Sequence, residues 1–303
     1  MCRIHELVLG TDKPFDLDHT LSCGQAFRWT YDRGWWTGVV GDRVIRCRQE
    51  GCHLYYTGAD ETEIVDYFQL YLDLPPILAS IEKDRLISDA ILRCRGLRIL
   101  RQPVEECLFS YILATCSNIP MIKRRIALLA AYAGRELVTP SGVYHAFPMT
   151  ETIAAMDEDC LRGCKLGYRA AYIKETAETI ASDPEWARRI ASLPTDEARV
   201  ALQEFRGIGP KAADCILLFA FARYDAFPVD VWIRRIMLRH YMHETEGRSF
   251  SRAEYDRIRR FARDYFGPFA GYAQEYIYCI RADEACLSTC RGPSSSGTLP
   301  APR

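Results

Sequence analysis

Leu202-Gln-Glu-Phe-Arg-Gly-Ile-Gly-Pro-Lys-Ala-Ala-Asp-Cys-Ile-Leu-Leu-Phe219 decides how this chain is read. Apolar residues on both sides of Gly207-Ile208-Gly209 recur at helical spacing, which predicts two helices, over 195–205 and 211–221, joined by a tight turn. The glycines free the backbone for that turn, and Ile208 between them is placed to anchor it in a core. Pro210 suits the first turn of the second helix, where its missing N–H is no loss. The unpaired amides at that helix start form a ready site for a phosphate. Ala212 and Ala213 let the two helices approach closely.

Upstream, residues 25–31, 35–40, 43–48 and 53–57 are short aromatic or β-branched runs. Asp32-Arg33-Gly34, Gly41-Asp42 and Glu50-Gly51 separate them as tight turns, so they read as antiparallel strands. From Asp60 onward the periodicity is helical and stays so, with helices expected over 104–115, 119–133, 168–182, 230–241, 252–265 and 270–280. The expected fold is α+β. A small N-terminal antiparallel β-sheet subdomain (1–75) packs on a larger all-helical body (76–290) that carries the hairpin at 195–221. Residues 291–303 read as a disordered tail from their Pro, Ser and Gly content.

With 303 residues, 49% of them hydrophobic, the chain is outside the disordered and collagen-like classes. No run approaches the ~20 apolar residues of a membrane helix. Thirteen cysteines, an odd number with no CxxC pair and no apolar leader-like segment before them, point to reduced thiols in an intracellular setting rather than a disulfide framework. The formal net charge is −1, so a nucleic-acid partner requires clustered cations. Residues 85–101, 119–135 and 161–174 are such clusters, while acids gather at 60–63 and 157–159. Segregation of this kind predicts a basic face for phosphates.

The stretch 202–219 as a whole resembles the helix-hairpin-helix motif, a binder of the DNA backbone. Lys211 lies two residues after the second glycine, and Phe227-Pro-Val-Asp-Val-Trp232 places Asp230 at a helix start. That pairing resembles the helix-hairpin-helix DNA glycosylases, in the branch where the lysine is the nucleophile. Thr20-Leu-Ser-Cys-Gly-Gln-Ala-Phe-Arg-Trp29 and Phe266-Gly-Pro-Phe-Ala-Gly-Tyr-Ala-Gln-Glu-Tyr-Ile-Tyr278 narrow the resemblance to 8-oxoguanine DNA glycosylases. Gln274 and Tyr278 share a helix face by their i, i+4 spacing, independently of that likeness.

The resemblance implies a bifunctional DNA N-glycosylase and AP lyase of base excision repair. Such an enzyme extrudes 8-oxoguanine from duplex DNA, excises it through a lysine Schiff base and nicks the strand by β-elimination. It assigns catalysis to Lys211 and Asp230, and the base pocket to Gly24, Gln274, Tyr278, Cys215 and Phe219. DNA contacts fall to Gly207, Gly209, Tyr168, Arg169 and Asn118. The family's hairpin holds a structural Na+ or K+ through backbone carbonyls, here those of Gln203, Phe205 and Ile208. No other cofactor is expected and no iron–sulfur cluster: Cys279, Cys286 and Cys290 do not supply the four thiolates such a cluster takes. The partner is double-stranded DNA containing 8-oxoguanine, bound by a monomer, in the nucleoid or nucleus.

The likeness has gaps where the family reads the orphaned cytosine: its asparagine falls on Cys116 and one of its arginines on Met121. Two other readings stand beside it. An endonuclease-III-like glycosylase for oxidised pyrimidines would need the missing fourth cysteine. A non-catalytic helix-hairpin-helix DNA-binding protein would leave Asp230, Gln274 and Gly24 unexplained.

Overall fold

The computed structural model describes residues 3–281, apart from residues 11, 246 and 248, so the expected tail at 291–303, Cys286 and Cys290 lie outside the described residues. The N-terminal sheet has five antiparallel strands in the order β1-β5-β4-β3-β2: β1 (His5–Val8), β2 (Trp29–Asp32), β3 (Trp35–Val40), β4 (Arg43–Glu50) and β5 (His53–Thr57). Four of these are the strands read from the alternation of Gly turns and aromatic runs. β1 was not, because His-Glu-Leu-Val is too short to show a period; it is placed by pairing with β5, His5 opposite Tyr56.

Trp29 pins the sheet to the helices behind it. Its indole lies where a Cβ on Gly38, its cross-strand partner, would come within 2.4 Å of the ring. Its Nε1 donates to the Tyr67 hydroxyl at 2.7 Å. Residues 25–28, expected to open β2, are instead irregular. The buried Gln25 amide bridges the carbonyls of Thr20 and Arg98 and the Leu100 N–H. That bridge joins the segment before β2 to the chain after the Arg85–Arg93 helix.

The remainder is helical with one exception. Glu136–Thr139 (β6) and Gly142–His145 (β7) form a two-stranded hairpin, so the body is not all-helical as expected. Four-residue strands with a two-residue turn carry too little alternation to stand out from the helices around them. The segment expected as one helix over 230–241 is an α-helix, Val231–Ile236, that continues as a π-helix, Met237–Tyr241. Among the described residues no helix is long and apolar enough to cross a membrane.

Two expectations about charge and sulfur are corrected. Arg98 is fully buried, and its guanidinium donates to the carbonyls of Pro14, Gln69 and Leu72. Arg169 is also buried. Arg135 pairs with Asp42, Arg162 with Glu158, and Lys123 donates to the Trp29 carbonyl. Arg98 and Arg169 therefore hold the fold together from inside, while Arg85, Arg93, Arg95, Arg101, Arg124, Arg135, Arg162 and Lys165 of the same clusters are exposed. Cys94 and Cys279, 185 residues apart, are joined as a disulfide, so not every thiol is free.

The helical body turns on one buried carboxylate. Asp214, wholly buried on the hairpin's second helix, accepts from Arg199 Nε and Arg259 Nε, each at 3.2 Å, and from the Tyr255 hydroxyl at 2.6 Å. Removing it takes one carboxylate from two guanidiniums, each under a tenth exposed, which keep only the partly exposed Asp256 (Arg199) and the exposed Asp196 (Arg259), and it leaves the buried Tyr255 hydroxyl without its acceptor. Breaking a buried pair in this way costs about 3–5 kcal/mol. Asp214→Ala is expected to lose that much in urea unfolding; a loss below 1 kcal/mol would mean water replaces the carboxylate.

Candidate active site

The hairpin forms as its sequence suggests, with different work for its two glycines. Gly207 has φ +90°, and a Cβ there would come within 2.7 Å of the Tyr172 ring, so only glycine fits. Gly209 caps the Pro210–Phe219 helix with φ −89° and open space where a Cβ would be. Its bareness leaves the helix N-terminus accessible. Ile208 is buried, its N–H bonded to the Phe205 carbonyl at 3.0 Å. The Thr115 hydroxyl donates to the Gly207 carbonyl at 3.0 Å and fastens the turn to the end of the Val104–Ala114 helix.

Beside the turn opens a cleft of ≈ 400 Å³ whose lining includes Thr115, Cys116, Gly209, Lys211, Val229 and Tyr255. Lys211 is exposed at its mouth, with Nζ 5.2 Å from the centroid of the Tyr111 ring. One turn further along the helix, Cys215 is buried. Burial pushes its thiol up to about 11, although Lys211 and a hydrogen bond from Tyr111 pull the other way. Phe219, at the far end of the same helix, stacks on Tyr111 in the core, ring centroids 6.2 Å apart, and does not line this cleft.

Asp230 is the N-cap of the Val231–Ile236 helix and accepts from the backbone N–H groups of Trp232 (3.0 Å) and Ile233 (2.8 Å). These bonds fix the direction of its carboxylate. The preceding residue is tied as well: Val229 N–H donates to the Tyr255 hydroxyl at 3.3 Å. Tyr255 in turn donates to Asp214, so the segment carrying Asp230 and the helix carrying Lys211 are linked through one tyrosine.

Gly24 and the Ala270–Cys279 helix lie against each other and do not line the Lys211 cleft. Gly24 has φ +93°, and a Cβ on it would lie 3.6 Å from the Tyr278 ring. Tyr278 carries the Arg281 guanidinium over its ring at 3.9 Å, and burial pushes its hydroxyl up to about 12. Gln274 is 5% exposed, and its Oε1 has no hydrogen-bond partner.

The adjacent Glu275 was not singled out from the sequence. It is 3% exposed, its Oε2 is likewise unpartnered, and burial raises its carboxyl to about 7. Cys23, Arg281 and Lys211 pull that value down and Asp230 pushes it up, which places these groups within electrostatic reach of one another. The available signal was its standing as the one charged residue in an apolar, aromatic and amide helix.

The residues expected to meet the orphaned base are held by the protein itself. Tyr168 is 52% exposed with its ring edge on Tyr172. Arg169 turns inward, donating to the carbonyls of Thr115 and Cys116 and stacking on Tyr168. Asn118 caps the Ile119–Ala133 helix through the Met121 N–H at 3.0 Å.

Glu275 gives a pH signature. The native chain keeps a proton up to about pH 7 that the unfolded chain releases near 4.5, so stability falls as pH rises through that window. The rise from 4.5 to about 7 corresponds to roughly 3 kcal/mol. Glu275→Gln is expected to match the parent at pH 4 and to exceed it at pH 8 by up to that amount in urea unfolding. Parallel stability curves across this range would show that the carboxyl is not held protonated.

Comparison with known proteins agrees with this geometry. Residues 8–108 match the 8-oxoguanine DNA glycosylase N-terminal domain, and residues 118–260 match the HhH-GPD superfamily of base excision DNA repair proteins. The chain is 34% identical to a probable N-glycosylase/DNA lyase of Methanothermobacter thermautotrophicus over 238 residues, 71% of this chain and 73% of that one. It is 29% identical to an N-glycosylase/DNA lyase of Saccharomyces cerevisiae, covering 91% of this chain and 86% of the yeast protein. Among solved structures, the Clostridium acetobutylicum 8-oxoguanine glycosylase/lyase, in complex with double-stranded DNA containing cytosine opposite 8-oxoguanine, superposes with a TM-score of 0.83. Identity is 31%, over 93% of this chain and 98% of that one.

Proposed function

The chain belongs to the 8-oxoguanine DNA glycosylases, bifunctional N-glycosylase/DNA lyases of base excision repair, and we propose the following roles for its residues. The substrate is 8-oxoguanine in duplex DNA, extruded because a stacked base is out of reach. The extruded base enters between Gly24 and the Ala270–Cys279 helix. Tyr278 gives it an aromatic face, the Gly24 carbonyl accepts its N7–H, and the unpartnered Gln274 Oε1 accepts from its Watson–Crick edge.

Lys211, as the free amine, attacks C1′. The C1′–N9 bond breaks with its electron pair leaving on the base, and loss of the amine proton with ring opening gives the Schiff base. β-Elimination then breaks the C3′–O3′ bond. Asp230, held by two amides, stabilises the positive charge that develops on the sugar. The hairpin amides around Gly207 and Gly209 take the DNA phosphates, and Tyr168 fills the space the base vacates. The observation that supports this reading is the tie between the two residues: Asp230 is fixed as a helix N-cap by two amides, and the neighbouring Val229 is joined through Tyr255 to Asp214 on the Lys211 helix.

Gln203, Phe205 and Ile208 would hold a monovalent cation at the hairpin. The ligands would be their backbone carbonyls, of which that of Phe205 already accepts from the Ile208 N–H at 3.0 Å and has its second lone pair for an ion. Such an ion supplies positive charge near the phosphates and enters no step of the chemistry.

Lys211→Gln keeps the hairpin amides and is expected to bind damaged duplex while losing base release and borohydride trapping by at least a thousandfold. A covalent adduct from the variant would identify another amine as the nucleophile.

Opposite-base discrimination is expected to be weak. Rejecting partners other than cytosine needs donors aimed at its acceptor edge. Met121 cannot donate, Cys116 is a poor donor, and Arg169 and Asn118 are engaged within the protein. Each missing contact removes roughly 1–3 kcal/mol of discrimination. Single-turnover excision of 8-oxoguanine opposite A, G or T is expected to be only modestly slower than opposite C. A preference for C of a thousandfold or more would show that other residues read the cytosine.

A further inference from the structure

At the end of the Ala270–Cys279 helix, three side chains of a soft-metal donor set converge. Cys94, Cys279 and His19 each present a ligand atom, and the three atoms lie within 4.8 Å of one another. Cys94 ends the Arg85–Arg93 helix, Cys279 directly follows Tyr278 on the pocket helix, and His19 belongs to the Leu17–Ser22 helix that leads into Gly24. The cluster therefore joins the two elements proposed to hold the base to a third.

As a disulfide, Cys94 and Cys279 satisfy each other and leave the imidazole out. His19 Nδ1 is buried without a hydrogen-bond partner. Asp16 Oδ1 is 3.3 Å away but is taken by the His19 backbone N–H at 2.7 Å. A cation held by two thiolates and the imidazole satisfies all three donors. Bonds of ~2.3 Å to sulfur and ~2.0 Å to nitrogen put tetrahedral ligands roughly 3.5–3.8 Å apart, so the bonded sulfurs must separate by about 1.5 Å, while the three ligand atoms already lie within 4.8 Å of one another. The Cα atoms of the two cysteines, 6.7 Å apart, are at the wide end of the disulfide range. Separating the sulfurs around a metal needs little backbone movement.

We propose that Cys94, Cys279 and His19 form a site for one divalent cation of the zinc class, occupied when the two cysteines are reduced, with water as the fourth ligand. A thiol or phosphine reductant supplies the two electrons that open the disulfide. The two thiols formed give up their protons as the cation binds. The bound metal then ties together the segments that carry Gly24 and Tyr278. The proposal concerns binding and stands apart from the assignment of Lys211 and Asp230.

The full chain, reduced with a phosphine, treated with a chelator and kept without oxygen, is titrated with Zn²⁺ against a chromogenic competitor and with Co²⁺ as an optical probe. One tight equivalent is expected, with a thiolate-to-cobalt charge-transfer band. Cys94→Ser and Cys279→Ser should weaken binding at least a hundredfold, and His19→Gln at least tenfold. In unmodified protein, bound zinc should protect Cys94 and Cys279 from iodoacetamide, read by mass spectrometry, while the exposed Cys52 and Cys116 stay reactive. That measurement decides the matter even where a serine variant does not fold. Zinc that binds the variants as it binds the parent, or that leaves Cys94 and Cys279 unprotected, overturns the proposal. So does a Cys94–Cys279 bond that reductant does not open in the folded protein.

Discussion

The Asp214 carboxylate is the constraint on which the site's geometry depends. Lys211 and Asp230 come from different helices with no direct hydrogen bond between them among the described residues, and their relative position must be set by something else. Asp214 is three residues beyond Lys211 and takes the Tyr255 hydroxyl; that hydroxyl takes the N–H of Val229, one residue before Asp230. The same carboxylate binds Arg199 on the hairpin's first helix and Arg259 on the Arg252–Phe266 helix. One buried charge thus sets the hairpin's opening, the direction of the lysine helix and the place of the aspartate. A pair of carboxylate oxygens can do this because the arginine forks and the phenol each approach from a fixed direction. An apolar replacement could fill the space but not the angles.

The hairpin was legible because each of its features is local. A positive-φ glycine, an apolar residue between glycines, a proline at a first helical turn and a capping aspartate all act within a few residues of themselves. The sheet was legible for the same reason, its Gly turns marking strand ends. Asp214, by contrast, reads in the sequence as a polar residue among apolar ones. Its partners are 15, 41 and 45 residues away, and no spacing rule connects them. Cys94 and Cys279 are further apart still. Glu275 stood next to a residue that was singled out, but its importance comes from burial against Cys23, which neighbours in sequence do not reveal.

Charge shows most plainly where a linear reading fails. Runs of arginine look like a phosphate-binding face until their partners are known. Arg98 is closed off by three carbonyls and Arg169 by two, whereas their neighbours in the same runs stay exposed. What is offered to a polyanion combines exposed cations with directed groups: bare amides at the start of the Pro210–Phe219 helix and the exposed Tyr168. A chain of formal net charge −1 can bind a polyanion on those terms. Backbone amides and a helix dipole carry no counter-charge and so leave net charge unchanged.

The same contrast separates the two faces of the site. On the side proposed for the damaged base, two buried oxygens, Gln274 Oε1 and Glu275 Oε2, have no partner, and the backbone at Gly24 is bent into a conformation that only glycine adopts easily. Unmet buried groups cost free energy in the empty protein. They are retained where a ligand is to meet them, and they reject one that does not. On the side proposed for the opposite base, Arg169 and Asn118 already have protein partners and Met121 has no side-chain donor. Selectivity in a binding site comes from polar groups that go unpaired with the wrong partner. On the roles proposed for these residues, the unpaired groups stand on the lesion side and the paired ones on the side of the opposite base.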